Sequence, residues 1–319
     1  MDRMPQLNRP WMVAVWPGMG HVALNAGVYL LAKLGMTVVA EYEAGDLFDV
    51  DQAEVKEGLI QPGRRPRNRF FVWTDPEKQR DLVVFLGEAQ PPLGKYPFCR
   101  QVIRSAKEFG VQKIFTFAAM ATAMSPDQPS RVFVAATDQQ LLREFKDLEV
   151  EILQEGQISG LNGVLLGAAL EAGLPGACLL GEMPHVFAQL PVPKASLAIL
   201  EIFRELSGIS FDLGELAEQA ESVDRQLKNL IAGMTESFRE ESEEEGTAPE
   251  PEPEEPASES RESRETPPLK ATDRERIEKL FAEAKQDRSR AFVLKRELDQ
   301  LGVFKDYEDR FLDLFKKPS

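Results

Sequence analysis

The chain has 319 residues, an apolar fraction of 43% and a formal net charge of −15. A chain of this length can bury a full core and hold more than one unit. The acidic balance argues against nucleic acid or an anionic membrane surface as the main partner. Two cysteines, Cys99 and Cys178, and two histidines, His21 and His185, are too few for a disulfide framework. Neither pair has zinc-ligand spacing, so neither a metal nor a cofactor is expected. The opening MDRMPQLNRPW has no apolar core of a secretory signal, and no apolar run reaches about 18 residues. The expectation is a cytoplasmic, soluble protein.

Met12–Trp16 reads as a buried strand and Val22–Leu34 as a helix stopped by Gly35. Thr37–Tyr42 is a second strand. Residues 54–75 read as two strands joined by a Pro-Gly turn rich in arginine, with Arg64, Arg65, Arg67 and Arg69 as a basic patch. That patch is either a solvated tip or a dock for an acidic partner. Asp81–Leu86 is a further strand, and Tyr96–Phe109 a helix. Lys113–Ala118 and Arg131–Ala135 are strands, and Asp138 caps a helix to about Lys146. Leu161–Ala172 is an apolar helix, Ala177–Gly181 a strand and Lys194–Leu206 a helix. Asp212 caps a long helix to about Phe238. Strands alternating with helices indicate an α/β domain over residues 1–238, with a mostly parallel central sheet flanked by helices.

Residues 239–271 are Glu, Pro and Ser with almost nothing apolar, which predicts a disordered acidic linker. Within it, Glu240–Glu265 carries twelve Glu against only Arg261 and Arg264. Residues 272–319 return to helical periodicity and predict a small all-helical module. Its last helix sets Tyr307, Phe311 and Phe315 on one stripe, a candidate surface for a protein partner. The competing reading is packing inside the module's own three helices.

Three clusters could carry a ligand. Gly18, Gly20 and His21 stand where a strand turns into a helix, in a G-x-G-x-x-[GA] pattern that suits a pyrophosphate. Glu41 and Glu43 lie near the end of the next strand, where an acid would bind a ribose hydroxyl. The structural alternative is a close strand-to-helix corner. Ser159, Gly160, Asn162 and Gly163 precede an apolar helix. G-x-x-S-G-x-N-G lacks the spacing of a nucleophile elbow, so Ser159 reads better as a cap or as part of a nest of amides. Glu182 ends a buried strand, as an ion pair, a cap or a ligand group, and His185 could pair with it.

Taken in order, WPGMGHVALNAGVYLLAKLG, GEAQPP, GQISGLNGVLLGAALEAGLPGACLLGEMP and PVPKASLAILEIFRELSGISFDLGEL resemble the proteasome-assembly-chaperone family, in its prokaryotic branch, over about residues 8–238. The Ser-Gly-x-Asn-Gly segment followed by Gly-Glu-x-Pro is the specific part. The resemblance implies a nucleoside-phosphorylase-like α/β core, self-association into a homo-oligomer, and protein partners. Chaperones of this family bind proteasome α subunits through a terminal hydrophobic-Tyr-any tail. Lys317-Pro318-Ser319 does not supply one, so a tail-mediated proteasome contact is not expected. The leading expectation is therefore a non-enzymatic, chaperone-like binding or assembly protein whose helical module is tethered for partner recognition. The alternative is an enzyme or binder of a nucleoside- or phosphate-type small molecule at the glycine corners.

Overall fold

The computed structural model describes residues 5–50, 53–56, 58–244 and 269–316. The chain opens with β1 (Trp11–Val15), whose residues are all buried, and a 3-10 turn at Met19–His21 leads into α1 (Val22–Lys33). β2 (Thr37–Glu41), β3 (Glu54–Lys56), β4 (Leu59–Gln61), β5 (Asn68–Trp73) and β6 (Leu82–Gly87) follow. Next come α2 (Lys95–Glu108), β7 (Lys113–Thr122), β8 (Val132–Ala136), α3 (Gln139–Arg143), β9 (Glu151–Ile152) and α4 (Gly160–Glu171). β10 (Gly176–Pro184), α5 (Pro193–Ser207) and α6 (Gly214–Glu244) complete the α/β part, and α7 (Ala271–Gln286), α8 (Ala291–Gln300) and α9 (Phe304–Leu312) end the chain.

Eight strands form one sheet in the order β2-β5-β6-β1-β7-β10-β8-β9. The central four, β6, β1, β7 and β10, are parallel to one another. The antiparallel pairs are β2 with β5, β5 with β6, and β10 with β8. Period-two alternation sorts the strand residues between two layers. Trp11, Val13 and Val15 join the core under α1, α5 and the C-terminal helices, whereas Met12 and Ala14 join the core under α2 and α4. With both faces covered, the central strands read as continuous apolar runs. The α/β class with a mostly parallel sheet and a C-terminal helical segment is what the sequence predicts.

Three details differ from the expectation. Residues 54–75 hold three strands, not two. β3 and β4 make a small separate hairpin, and the arginine turn joins it to β5 in the main sheet. Pro62 and Pro66 bracket that turn and withhold the amides a continuous strand would need. β9, two residues long, lies below what periodicity can register. The segment expected as a linker from 239 continues as α6 through Glu244, residues 245–268 lie outside the described residues, and Leu269 already packs on the core.

The C-terminal helices also sit differently from a freely tethered unit. Ile277, Phe281, Phe292, Leu298, Phe311 and Phe315 belong to the same buried cluster as α1 and the sheet. Phe292 stands edge-on to Tyr29 at 4.5 Å, and Phe315 edge-on to Phe71 at 6.1 Å. Among the described residues no helix is long and apolar enough to cross a membrane.

Candidate functional site

β1 and β6 are adjacent and parallel, but β1 feeds α1 on one face of the sheet and β6 feeds α2 on the other. Such a divergence opens a crevice beyond the carboxyl ends of the two strands. A cavity of about 520 Å³ lies there, between Pro17, His21 and Leu24 from the first corner and Glu88, Ala89 and Gln90 after β6. α8, α9 and the loop between them close it with Asp299, Phe304, Lys305 and Glu308.

The first glycine corner is held by backbone. Gly18 is extended and Gly20 is left-handed at φ 60°. Gly20 N–H donates to Ala188 O at 2.9 Å, and Gly20 O accepts from Val192 N–H at 2.9 Å. A Cβ on Gly20 would stand 2.7 Å from Met183 Sδ. His21 is left-handed as well, at φ 51°, a conformation that strains a residue with a side chain. Its N–H donates to Gly18 O at 3.1 Å. The amides a pyrophosphate would need at Gly20 and His21 are thus already engaged. Glu41, the candidate ribose acid, accepts from Arg67 Nε at 2.7 Å and from Arg67 Nη2 at 2.5 Å, which holds its carboxyl below the usual range. The dinucleotide reading loses its anion cradle and, of its two candidate acids, Glu41. What remains is His21 on the cavity wall, its imidazole pulled below its ordinary pKa by desolvation first and by the Lys295 ammonium second.

The second corner is tied to the first through Gln90, a residue the motif reading passed over. Gln90 Oε1 accepts from Leu161 N–H at 3.1 Å, and Gln90 Nε2 donates to Pro17 O at 3.3 Å. Ser159 sits at the N-cap of α4, but its hydroxyl makes no capping bond; the distant amide of Gln90 does that work. A cap supplied across 71 residues of sequence is invisible to local spacing; GEAQPP stands out only as one of the segments that carry the family resemblance. Gly160 is left-handed and lies against Gln90. Asn162 turns its backbone carbonyl to Thr116 Oγ1, and its Oδ1 is buried without a partner. Gly163 lines a shallow pocket of about 300 Å³ between α4 and β8, apart from the main cavity.

Glu182 lies within β10, two residues before its end, and is 1% exposed. Arg131 embraces it with Nε on Oε2 at 2.7 Å and Nη2 on Oε1 at 2.6 Å, and Thr122 Oγ1 donates at 2.8 Å. The Arg131 pair holds this carboxyl below its ordinary range. His185 does not pair with it; Nδ1 instead meets Thr122 O at 3.0 Å. Glu182 is therefore a structural ion pair that ties β10 to the loop before β8. The three clusters do not converge on one pocket: only the first lines the crevice, the second reaches it through Gln90, and Glu182 stands elsewhere. The aromatic stripe is split too. Phe311 and Phe315 are fully buried, and Tyr307 packs on Phe281 at 5.9 Å.

The basic turn has found an acidic partner within the same chain. Asp309 on α9 pairs with Arg64, Arg67 and Arg69, and accepts from Arg69 Nη2 at 2.8 Å. Arg64 also meets Glu88 at 3.0 Å. Burial raises the carboxyl pKa of Glu88, with Glu308 adding to the shift. Lys295, 1% exposed, donates to Asn25 Oδ1 at 2.7 Å and pairs with Asp299 at 2.5 Å.

Comparisons with known proteins place this geometry. The profile of the PAC2 family matches residues 12–231. An uncharacterised protein of Methanocaldococcus jannaschii is 26% identical over 218 residues, covering 67% of this chain and 80% of its own. The crystal structure of PbaB from Pyrococcus furiosus, an archaeal proteasome activator, is 25% identical with a TM-score of 0.61, covering 71% of this chain and 95% of PbaB. A PAC2 family protein from Streptomyces avermitilis is 27% identical with a TM-score of 0.60, covering 69% and 95%. With more than half its length matched by that profile, this chain belongs to the PAC2 family.

Proposed function

We propose that the chain is a non-enzymatic, chaperone-like binding protein that self-associates and takes a protein partner. The observation that carries this reading is the β3–β4 hairpin. Val55, Leu59 and Ile60 are 70%, 69% and 79% exposed on a two-stranded arm set apart from the main sheet. Isolated hairpins are marginal in water, and clustered exposed apolar side chains mark contact surfaces. The engaged amides at Gly20 and His21 and the ion-paired Glu182 support the same reading, because they spend chemistry-bearing groups on structure. The partner class suggested by PbaB's description is a proteasome. The test is capture of purified proteasome core particles, with light scattering in parallel, comparing the full chain with Val55→Asp/Ile60→Asp. The reading expects the wild-type chain to associate and the variant to lose both contacts. A wild-type chain that neither self-associates nor retains a proteasome overturns it.

The crevice supports a second reading, a small-molecule binder. Its apolar walls at Leu24 and Phe304 suit a flat base, while Glu88, Asp299 and Glu308 disfavour a phosphate. Equilibrium dialysis with a nucleoside and with inorganic phosphate would separate these: retention of the nucleoside alone supports the reading, and retention of neither removes it.

A further inference from the structure

The crevice beyond β1 and β6 is walled by two parts of the chain. Pro17, His21, Leu24 and Glu88 belong to the residues the family profile matches, whereas Asp299, Phe304, Lys305 and Glu308 lie past its end at residue 231. The volume of about 520 Å³ falls in the range of small-molecule sites. Two of its carboxyl groups are withdrawn from water: Glu88 and Glu308 are each 1% exposed. Glu88 Oε2 accepts from Arg67 N–H at 2.9 Å, but Oε1 is buried without a hydrogen-bond partner. Arg69 Nη1 stands 3.6 Å from it, too far for a hydrogen bond. Burial and the charge of Glu308 push the Glu88 carboxyl up. A buried carboxylate oxygen in such a setting is costly until a donor reaches it.

One donor already in the crevice shows what these groups accept. Lys305 Nζ donates to Glu308 Oε2 at 2.6 Å and to Glu88 O at 3.3 Å, so an ammonium is seated between the two residues. Yet the Lys305 side chain is 68% exposed. An ammonium on a flexible, solvated stem is held by little besides its seat and swings out at small cost. Asp299 is matched by Lys295 at 2.5 Å, and His21 is held toward its neutral form, so His21 adds no cation to the wall. Leu24, Pro191 and Phe304 put apolar surface in the same cavity. Among the described residues no group of three or more His, Cys, Asp or Glu side chains is placed to hold a metal ion, so the cation this wall suits is an organic one.

We infer that the crevice binds a small primary amine with an apolar or aromatic body, whose ammonium takes the seat of Lys305 on Glu308 and the Glu88 carbonyl and supplies the donor that Glu88 Oε1 lacks. An ammonium carries three donors and no acceptor, which matches three oxygens. Lys305 is then a tethered stand-in that the ligand displaces. This rests on the small-molecule reading of the crevice and names the ligand's charge and head group.

Titration of the full-length chain with phenethylamine, phenethyl alcohol and phenylacetate, followed by ligand-observed NMR, tests it. The three share a ring and differ in head group. The amine should bind at least about tenfold more tightly than the alcohol, as charge-assisted bonds exceed neutral ones, and phenylacetate should not bind. Glu308→Gln should weaken the amine by about tenfold or more and leave the alcohol unchanged. Lys305→Met should tighten it: if Lys305 fills the seat about nine-tenths of the time, removal gains about tenfold. Lys146→Met, outside the cavity lining, should change nothing; an equal gain there would show a general field effect and overturn the seat. Equal binding of amine and alcohol overturns the inference while the crevice remains a small-molecule site, and so does retention of a nucleoside without the amine. Binding of none of them removes both readings. If Glu308→Gln fails to fold by circular dichroism, the wild-type preference for the amine and the gain in Lys305→Met decide, and absence of either overturns the inference.

Discussion

Two glycines in one helix give opposite forecasts for the same substitution. Gly163 and Gly167 are both interior to α4, and alanine in a helix is favoured over glycine by about 1 kcal/mol. Propensity alone would make both changes stabilising. A Cβ on Gly167 meets nothing within 4 Å, so there the gain stands. A Cβ on Gly163 would stand 1.9 Å from Ile158 O and 2.9 Å from Ile158 C. Restoring an ordinary contact requires a backbone shift of about 1.5 Å, and Leu161, Leu165 and Ala169 pin the helix to the layer it shares with α2. Overpacking of this kind costs about 1–3 kcal/mol, which exceeds the propensity gain over most of its range. For a domain of 150–250 residues, about 1 kcal/mol moves Tm by about 2–4 °C. Gly167→Ala should therefore raise Tm by about 2–4 °C, and Gly163→Ala, with a net cost of up to about 2 kcal/mol, should lower it by up to about 4–8 °C. Differential scanning fluorimetry on the full chain, with calorimetry to confirm, reads the difference. A Tm for Gly163→Ala at or above that of Gly167→Ala refutes the close approach as the reason for glycine at 163.

Gly20→Val should destabilise by more than about 1 kcal/mol, because a β-branched residue tolerates φ near +60° poorly; an unchanged denaturant midpoint would count against it. Phe315→Ala removes a fully buried ring that packs on Phe71 and Phe311 and should cost about 3–5 kcal/mol; the accompanying loss of protection in α7–α9 by hydrogen exchange would be missing if the segment were not anchored there. Glu41, Glu182 and Asp309 have folded pKa values depressed below 4.5, 4.5 and 3.8. Their stabilisation is complete above those unfolded values and is lost as pH falls through the folded ones, while raised Glu88 works in the opposite sense. The urea midpoint should therefore fall on acidification below about pH 4, and a midpoint that rises there would show that Glu88 dominates.

Strands and helices were legible wherever a period ran long enough to be read. β1, α1, α2 and α5 lie within a few residues of their predicted bounds because each has a buried stripe and a glycine or proline stop. The Asp138 cap was legible too: its Oδ1 accepts from Leu141 N–H at 2.9 Å, three residues on, the spacing a local rule describes. The cap of α4 was not, because Gln90 comes from another loop. The position of residues 271–316 was illegible for a related reason. An amphipathic helix declares which face it buries but not what it buries it against, so the stripe at Phe311 and Phe315 fits a partner and the chain's own core equally well.

The arginine turn carries the remaining step. Read alone, four arginines within six residues, at 64, 65, 67 and 69, offer an open basic surface. In the fold, three of them converge where two core carboxylates and one from α9 balance their charge, and Arg69 is 2% exposed. A guanidinium so far from water needs a fixed acid beside it, and truncating one partner of such a pair leaves the other charge uncompensated. Here Glu88 of the core at 3.6 Å and Asp309 of α9 at 2.8 Å supply it together. The requirement is one of chemistry and not of chain connectivity, so any helix offering an aspartate at that height and a phenylalanine two positions on would meet it. The seam is thus settled by charge pairing that neither the turn nor α9 declares when read alone.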